Sequence, residues 1–189
     1  MIFFYLFIFL VAQRIVELFI ARRNERIMKA KGAMEFAPGH YKYIVILHTA
    51  FLISFAVEAY LNGFVPSPAF PYFLILFIVL QALRIWTIKS LGPFWNTKII
   101  ILPGSEVVKK GPFRYMRHPN YVIVALELFL IPLMFHAFIT SILFTFLNAL
   151  LIRFVRIPAE EAALSQQSDY SATFKETPRF FPSTDPNQS

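Results

Sequence analysis

The sequence predicts an all-α integral membrane protein with about five transmembrane helical segments, the last two a helical hairpin, followed by a short cytosolic C-terminal helix. Three observations carry this. Hydrophobic residues make up 57% of the 189 and charged residues only 15%, outside the range of ordinary soluble domains. Residues 1–21, 43–65 and 69–91 are apolar runs of about 20 residues, the length that crosses roughly 30 Å of hydrocarbon as helix. Lys and Arg gather in alternate connections, as they do in short loops on one side of a membrane.

The elements follow in order. The first run lacks a basic leader and carries Gln13, Arg14 and Glu17, so it reads as a retained span and not as a cleaved signal peptide. The segment 22–42 holds Arg22, Arg23, Arg26, Lys29, Lys31 and Lys42, whereas the next connection, 62–68, holds no Lys or Arg. In the connection 92–120, Pro103-Gly104 divides two β-prone runs, Lys98–Leu102 and Glu106–Val108, which predicts a small hairpin at the membrane surface. The apolar block 121–152 has 32 residues and would rise about 48 Å as one straight helix, well beyond the bilayer core. Pro132 and His136 predict that it folds back into arms 121–132 and 137–157, short for full crossings. Pro158 then begins a helical segment, 159–176, with Glu160 and Glu161 in its first turn. One domain thus covers 1–182, and 183–189 reads as a disordered tail.

Of the 18 basic residues, all but Arg14 and Arg84 fall in 22–42, in 89–117 or from 153 onward, and none falls in 62–68 or 133–136. This pattern predicts a bacterial-type cytoplasmic membrane protein with its N-terminus outside and its C-terminus and active site cytoplasmic. The net charge of +7 is then a membrane-surface feature, with no case for nucleic acid.

Two stretches carry chemistry. GPFRYMRHPNY, residues 111–121, stands directly ahead of the long apolar block. Pro119 suits a first helical turn, where its missing N–H would have had no intrahelical partner, and His118 or Asn120 takes the cap position. The free N–H groups of that turn and the helix dipole make a site for a carboxylate or phosphate, strengthened by Arg114 and Arg117. An interfacial anchor explains the same basic residues equally well. RFVRIPAEE, residues 153–161, spaces Arg153, Arg156 and Glu160 so that they share a helical face. Pro158 between Arg156 and Glu160 weakens a purely helix-stabilising role, although a snorkelling arginine beside a solvated acidic turn is an even alternative. Inside the spans, Arg14, Glu17, Glu58, Gln81, Arg84, Glu127 and Asn148 are costly and face the bundle interior, where pairing outweighs catalysis as their role. Glu127, two turns past the His-Pro cap, is placed to line the same cavity.

Absences narrow the chemistry. The six glycines form no Gly-x-Gly, the four histidines have no i, i+4 partner, and no serine sits in a nucleophile elbow. Neither a dinucleotide cradle nor a metal site is expected. The chain has no cysteine, which excludes disulfides and thiol catalysis.

Taken in order, GPFRYMRHPNY, an apolar hairpin and RIPAEEAAL about forty residues on resemble the isoprenylcysteine carboxyl methyltransferase family, membrane enzymes that use S-adenosylmethionine. The resemblance covers roughly residues 75–182. LGPFWNTKIIILPG and RHPNYVIV are similar to a bacterial branch proposed to O-methylate alkylpyrones and related lipidic polyketides. The resemblance implies cofactor contacts from Glu106, Val107, Val108, Phe113, His118, Pro119, Asn120, Tyr121 and Glu160, with Arg156 as the catalytic residue at the reacting oxygen. It implies S-adenosylmethionine as cofactor, S-adenosylhomocysteine as product, and a lipophilic small molecule, prenyl or polyketide, that reaches the site from among the membrane lipids. Phe113 stands where the family commonly has tyrosine, Gln167-Ser168 where it has a phenylalanine-glycine pair, and Phe174 where a second tyrosine is usual. The expected reaction is methyl transfer to a carboxylate or acidic hydroxyl, for which an already ionised oxygen needs no general base. Phospholipid N-methylation is the alternative reaction, disfavoured by an arginine at the acceptor. A non-catalytic binding or transport protein is the alternative class, and the absence of an inverted repeat speaks against it.

Overall fold

The computed structural model describes residues 1–180, so the tail expected over 183–189 lies outside the described residues, as do the last two positions of the expected 1–182 domain. Among the described residues the chain forms α1 (Ile2–Ala30), β1 (Met34–Phe36), α2 (Tyr41–Leu61), α3 (Phe70–Leu91), β2 (Ile99–Ile101), α4 (Pro119–Leu133), α5 (Phe138–Leu151), α6 (Ile157–Gln167) and α7 (Tyr170–Thr173). The protein is mostly helical, and four helices are long and apolar enough to cross a membrane: Ile2–Ala30, Pro38–Leu61, Phe70–Phe94 and Phe138–Gln167. It is an integral membrane protein. The helix α4 has 15 residues and rises about 22 Å, less than the roughly 30 Å hydrocarbon core.

Three expectations need correction. First, α1 does not end near residue 21 but runs to Ala30. No breaker occurs before Gly32, and Lys29 donates to Glu25 one turn away at 2.6 Å. Second, β2 pairs with β1, antiparallel, Met34 opposite Ile101 and Phe36 opposite Ile99. Glu106–Val108 forms no strand. Beyond Pro103 the chain turns onto α6 instead, where Gly104 N–H donates to the Gln167 carbonyl at 3.0 Å. The pairing follows burial: Ile100 packs on Met28 and Ala33, while Ile99 and Ile101 pack on Ala163 beside Phe36 and Leu164. Third, no new helix starts after Pro158. The helix passes from α5 through a π-helical turn, Ile152–Arg156, straight into α6. The helix expected over 159–176 therefore ends at Gln167, and α7 stands separately.

The hairpin between α4 and α5 forms as Pro132 and His136 suggest. His136 takes a left-handed φ of 57°, and its carbonyl accepts from Asn62 Nδ2 at 3.0 Å. Glu58 in α2 accepts from the N–H groups of Ile139 and Thr140 at 3.0 and 2.7 Å, a carboxylate on the orphan donors of a helix start. Aromatic packing closes this end of the bundle, where Phe3, Phe55, Phe77 and Phe135 join in one buried cluster.

The intramembrane charges pair across helices. Glu127, 1% exposed, accepts from Arg84 Nε at 3.0 Å, Gln81 Nε2 at 2.8 Å and Arg14 Nη2 at 3.2 Å, and from Arg84 Nη2. Glu17 accepts from Arg14 at 2.8 Å and Arg84 at 2.7 Å. Two arginines and two glutamates from α1, α3 and α4 thus neutralise one another, the structural pairing expected of polar groups in a bundle interior.

Candidate active site

Pro158 determines the local backbone that presents Arg156. Inside a continuous helix a proline offers no N–H to the carbonyl four residues back and clashes with it. That carbonyl belongs to Phe154, and the helix accommodates it by widening into the π turn Ile152–Arg156. Such turns break the regular face. Arg156 is buried while Arg153 is exposed, so the expected shared face holds for Arg156 and Glu160 but not for Arg153.

Arg156 Nε donates to Tyr121 Oη at 2.9 Å and to Glu160 Oε2 at 3.1 Å, and the Tyr121 hydroxyl donates to the same Glu160 oxygen. Arg156 Nη1 lies 2.6 Å from His40 Nε2, which accepts as a neutral ring nitrogen, since Nδ1 of the same ring bonds the Ala37 carbonyl. Among the described residues Nη2 makes no hydrogen bond. The guanidinium is therefore fixed on two sides with one donor group left for a ligand.

The second motif meets the chain's C-terminal segment. His118 is the N-cap of α4, with Pro119 in the first turn and no side-chain cap bond. Its N–H donates to the Arg179 carbonyl at 3.1 Å, the Arg117 N–H to Pro178 O at 2.9 Å, and Arg117 Nε to Thr177 O at 2.6 Å. Of the groups expected to meet a ligand, the Arg117 side chain is thus partly taken by Thr177, while the Arg117 and His118 N–H groups lie ahead of the helical turn itself. His118 Nε2 lies 3.0 Å from Glu161 Oε1, and Arg179 donates to both Glu161 oxygens at 3.0 and 2.6 Å. That pairing raises the Arg179 guanidinium above its usual range. Arg114 is exposed and adds nothing to the site.

Two cavities meet here. One lies among the surface elements, walled by Ile99, Ile101, Leu164 and Phe174, with Glu106, Val107 and Val108 along it and Tyr170 within. The other runs into the bundle past Ile44, Val124 and Ile152 to Arg14, Glu17, His48, Arg84 and Asn148, with Asn120 and Tyr121 on its wall. Phe113, His118, Arg156 and Glu160 line both. Of the residues that the family resemblance implied as cofactor contacts or catalytic, Pro119 alone lines neither; it is buried at the helix start. Glu127 lines neither cavity, although its partners Arg14 and Arg84 reach the inner one.

Polar atoms without partners mark the cavity walls. Asn96 Nδ2, Asn120 Oδ1, Asn148 Oδ1 and Tyr170 Oη are buried and make no hydrogen bond among the described residues. Buried polar groups are ordinarily satisfied, so these four point to ligand contacts. Burial raises the Tyr170 phenol above its usual range, which keeps it a donor.

Residues 73–166 match the model of the isoprenylcysteine carboxyl methyltransferase family. The uncharacterized protein YpbQ of Bacillus subtilis (strain 168) is 44% identical over 159 residues, covering 84% of this chain and 94% of its own length. The chain belongs to the isoprenylcysteine carboxyl methyltransferase family. An uncharacterized protein of Haemophilus influenzae is 31% identical over 157 residues, 82% of this chain and 91% of that one. Membership makes the protein a membrane methyltransferase. The matched segment contains both motifs and the whole α4–α5 hairpin but not His40, which the fold brings to Arg156 from α2's leading turn. His40, Asn96 and Tyr170 gave no such signal in the sequence, and Asn148 only that of a polar residue inside a span. Glu161 was visible only as Glu160's neighbour, and a one-residue step around a helix sends it to the opposite partner set.

Proposed function

We propose that this family member uses S-adenosylmethionine to methylate an oxygen, carboxylate or acidic hydroxyl, of a lipophilic acceptor. The observation that carries the reading is the meeting of a surface cavity and an intramembrane cavity at Arg156, Glu160, His118 and Phe113. A polar cofactor enters from one side and a lipophile from the other.

The residues of the outer cavity fit the cofactor. Tyr170 Oη and Asn96 Nδ2 are buried donors awaiting an acceptor, and Glu160 is an acceptor for amino or ribose groups. Leu164, Phe174, Ile99 and Ile101 form the apolar wall that adenine requires. Glu106, Val107 and Val108 flank the same space. The bound cofactor supplies an electrophilic methyl group on a sulfonium. The chain supplies position and charge: Tyr121, Glu160 and His40 hold the Arg156 guanidinium, and its free Nη2 receives the acceptor oxyanion. An ionised acceptor needs no base, and a protonated amine beside Arg156 is repelled, which favours O- over N-methylation. The Lys and Arg distribution supports a cytoplasmic site with the N-terminus outside. Local bilayer thinning lets α4 serve as a fifth crossing.

The test is equilibrium binding of S-adenosylmethionine to the purified, detergent-solubilised protein, beside His118→Ala and Glu160→Ala. Wild-type binding that falls by about tenfold or more in each variant is expected from loss of a charged or buried hydrogen bond. Folded variants that bind as well as wild type would remove these residues from the site.

A further inference from the structure

The inner cavity ends on polar groups that the transfer chemistry does not use. Asn148 is 1% exposed, lines this cavity, and leaves its Oδ1 without a hydrogen bond among the described residues. His48, on the same cavity, is fixed as one tautomer: Nδ1–H donates to the Ile44 carbonyl at 2.9 Å. Its Nε2 is then an acceptor. A membrane bundle that buries an unpaired amide bears a cost which a ligand would remove.

Their depth follows from the helices. Arg156 and His40 are in contact at 2.6 Å. His48 lies eight residues beyond His40 on α2, and Asn148 eight residues before Arg156 on α5. The two helices run antiparallel, and Ser54 bonds Thr140 further along at 2.8 Å. Both His48 and Asn148 therefore sit about 12 Å along the bundle from the Arg156–His40 contact, given 1.5 Å of rise per residue. Between the two levels the wall is Ile44, Val124 and Ile152. The charged groups beside this floor, Arg14, Glu17 and Arg84, are already balanced with Glu127.

We infer that this floor is a second recognition site for the methyl acceptor, one that binds a neutral hydrogen-bonding group, foremost a hydroxyl, at roughly 10 Å from the methylated oxygen. The inference rests on the methyltransferase reading above. A hydroxyl donates its proton to an open acceptor of this floor, the unpaired Asn148 Oδ1 or the neighbouring His48 Nε2, whereas a second full charge gains nothing from a balanced floor. The acceptor class is thus an elongated lipophile polar at both ends, with an acidic oxygen at Arg156 and a hydroxyl at the far end.

The probes are decanoic acid and ω-hydroxydecanoic acid, alike in length and differing in the terminal hydroxyl. Their equilibrium binding is measured with the full-length protein in lipid nanodiscs, with S-adenosylmethionine binding measured in parallel. Wild type is expected to bind the hydroxy acid about tenfold more tightly, the worth of one buried hydrogen bond. Asn148→Leu is expected to abolish that preference while still binding S-adenosylmethionine, which also reports that it is folded. His48→Leu, on a different helix, asks the same question independently. Equal affinities in wild type, failure of both acids to bind, or a preference that survives both substitutions would overturn the inference. Intact cofactor binding in those cases leaves the methyltransferase reading standing, whereas no cofactor binding by folded wild type removes that reading as well.

Discussion

Replacing Glu127 by leucine isolates the worth of the charge quartet inside the membrane. Glu127 is 1% exposed and accepts hydrogen bonds from Arg14, Gln81 and Arg84. Its loss leaves two arginines facing Glu17 alone, an uncompensated positive charge in a buried setting. Breaking a buried pair in this way costs about 3–5 kcal/mol. Arg84→Met leaves the opposite imbalance and is expected to cost a similar amount. The double variant Glu127→Leu/Arg84→Met keeps Arg14 paired with Glu17 at 2.8 Å and restores neutrality, so it should cost less than the two singles added, by about 2 kcal/mol. For a chain of this size each kcal/mol moves Tm by roughly 2–4 °C, so each single variant melts about 6–20 °C lower. Circular dichroism of thermal unfolding in detergent, with a denaturant titration to check the free energies, reads all four proteins. Single variants within about 1 kcal/mol of wild type would refute the reasoning, as would a double variant whose cost equals the sum.

Three further outcomes are expected. Gly111 has φ of +59°, and a Cβ there would run into the Ser90 side chain and come within 3.2 Å of Trp86 Nε1; Gly111→Ala should cost about 2 kcal/mol or more, of which adding Ser90→Gly recovers only the contact part, as unfolding free energies will show. Tyr170→Phe removes a buried hydroxyl that has no partner among the described residues, so S-adenosylmethionine affinity should drop about tenfold with no loss of Tm. A drop in Tm with unchanged affinity would take Tyr170 out of the site. Pro158→Ala supplies the missing N–H and lets the π turn relax to a regular helix, so cofactor affinity should fall by about tenfold or more as Arg156 and Glu160 shift; wild-type affinity in this variant would mean the π turn has another cause.

Hydropathy made the spans and the folded-back hairpin legible because lipid-facing helices need long apolar runs whatever their partners. The motif residues were legible because Pro119 and Pro158 carry backbone consequences in their own chemistry. Long-range placement was not. The three residues Met34–Phe36 have no strand signal of their own and pair only because Ile99–Ile101 needs an edge partner above Met28 and Ala163. The extension of α1 was hidden by charge: Arg22 to Lys29 read as a loop, yet a charged segment without Gly or Pro stays helical beyond a bilayer surface. Nothing local ties His40 to Arg156, 116 residues away. The pairing of intramembrane charges followed from cost alone, whereas the choice of partners across three helices required the fold.

The bonds between residues 117–118 and 177–179 have a consequence for the order of biosynthesis. The start of α4 leaves the ribosome some sixty residues before the carbonyls that receive the Arg117 and His118 N–H groups. The hydrophobic hairpin enters the membrane first, and the start of α4 gains these partners only when residues 177–179 fold back on it. A nascent chain halted near residue 170 is therefore expected to be inserted, helical and unable to hold cofactor. Cofactor binding would report that synthesis had passed residue 179, and a change at Phe180, whose ring centroid lies 6.4 Å from that of His118, would be felt at the start of α4.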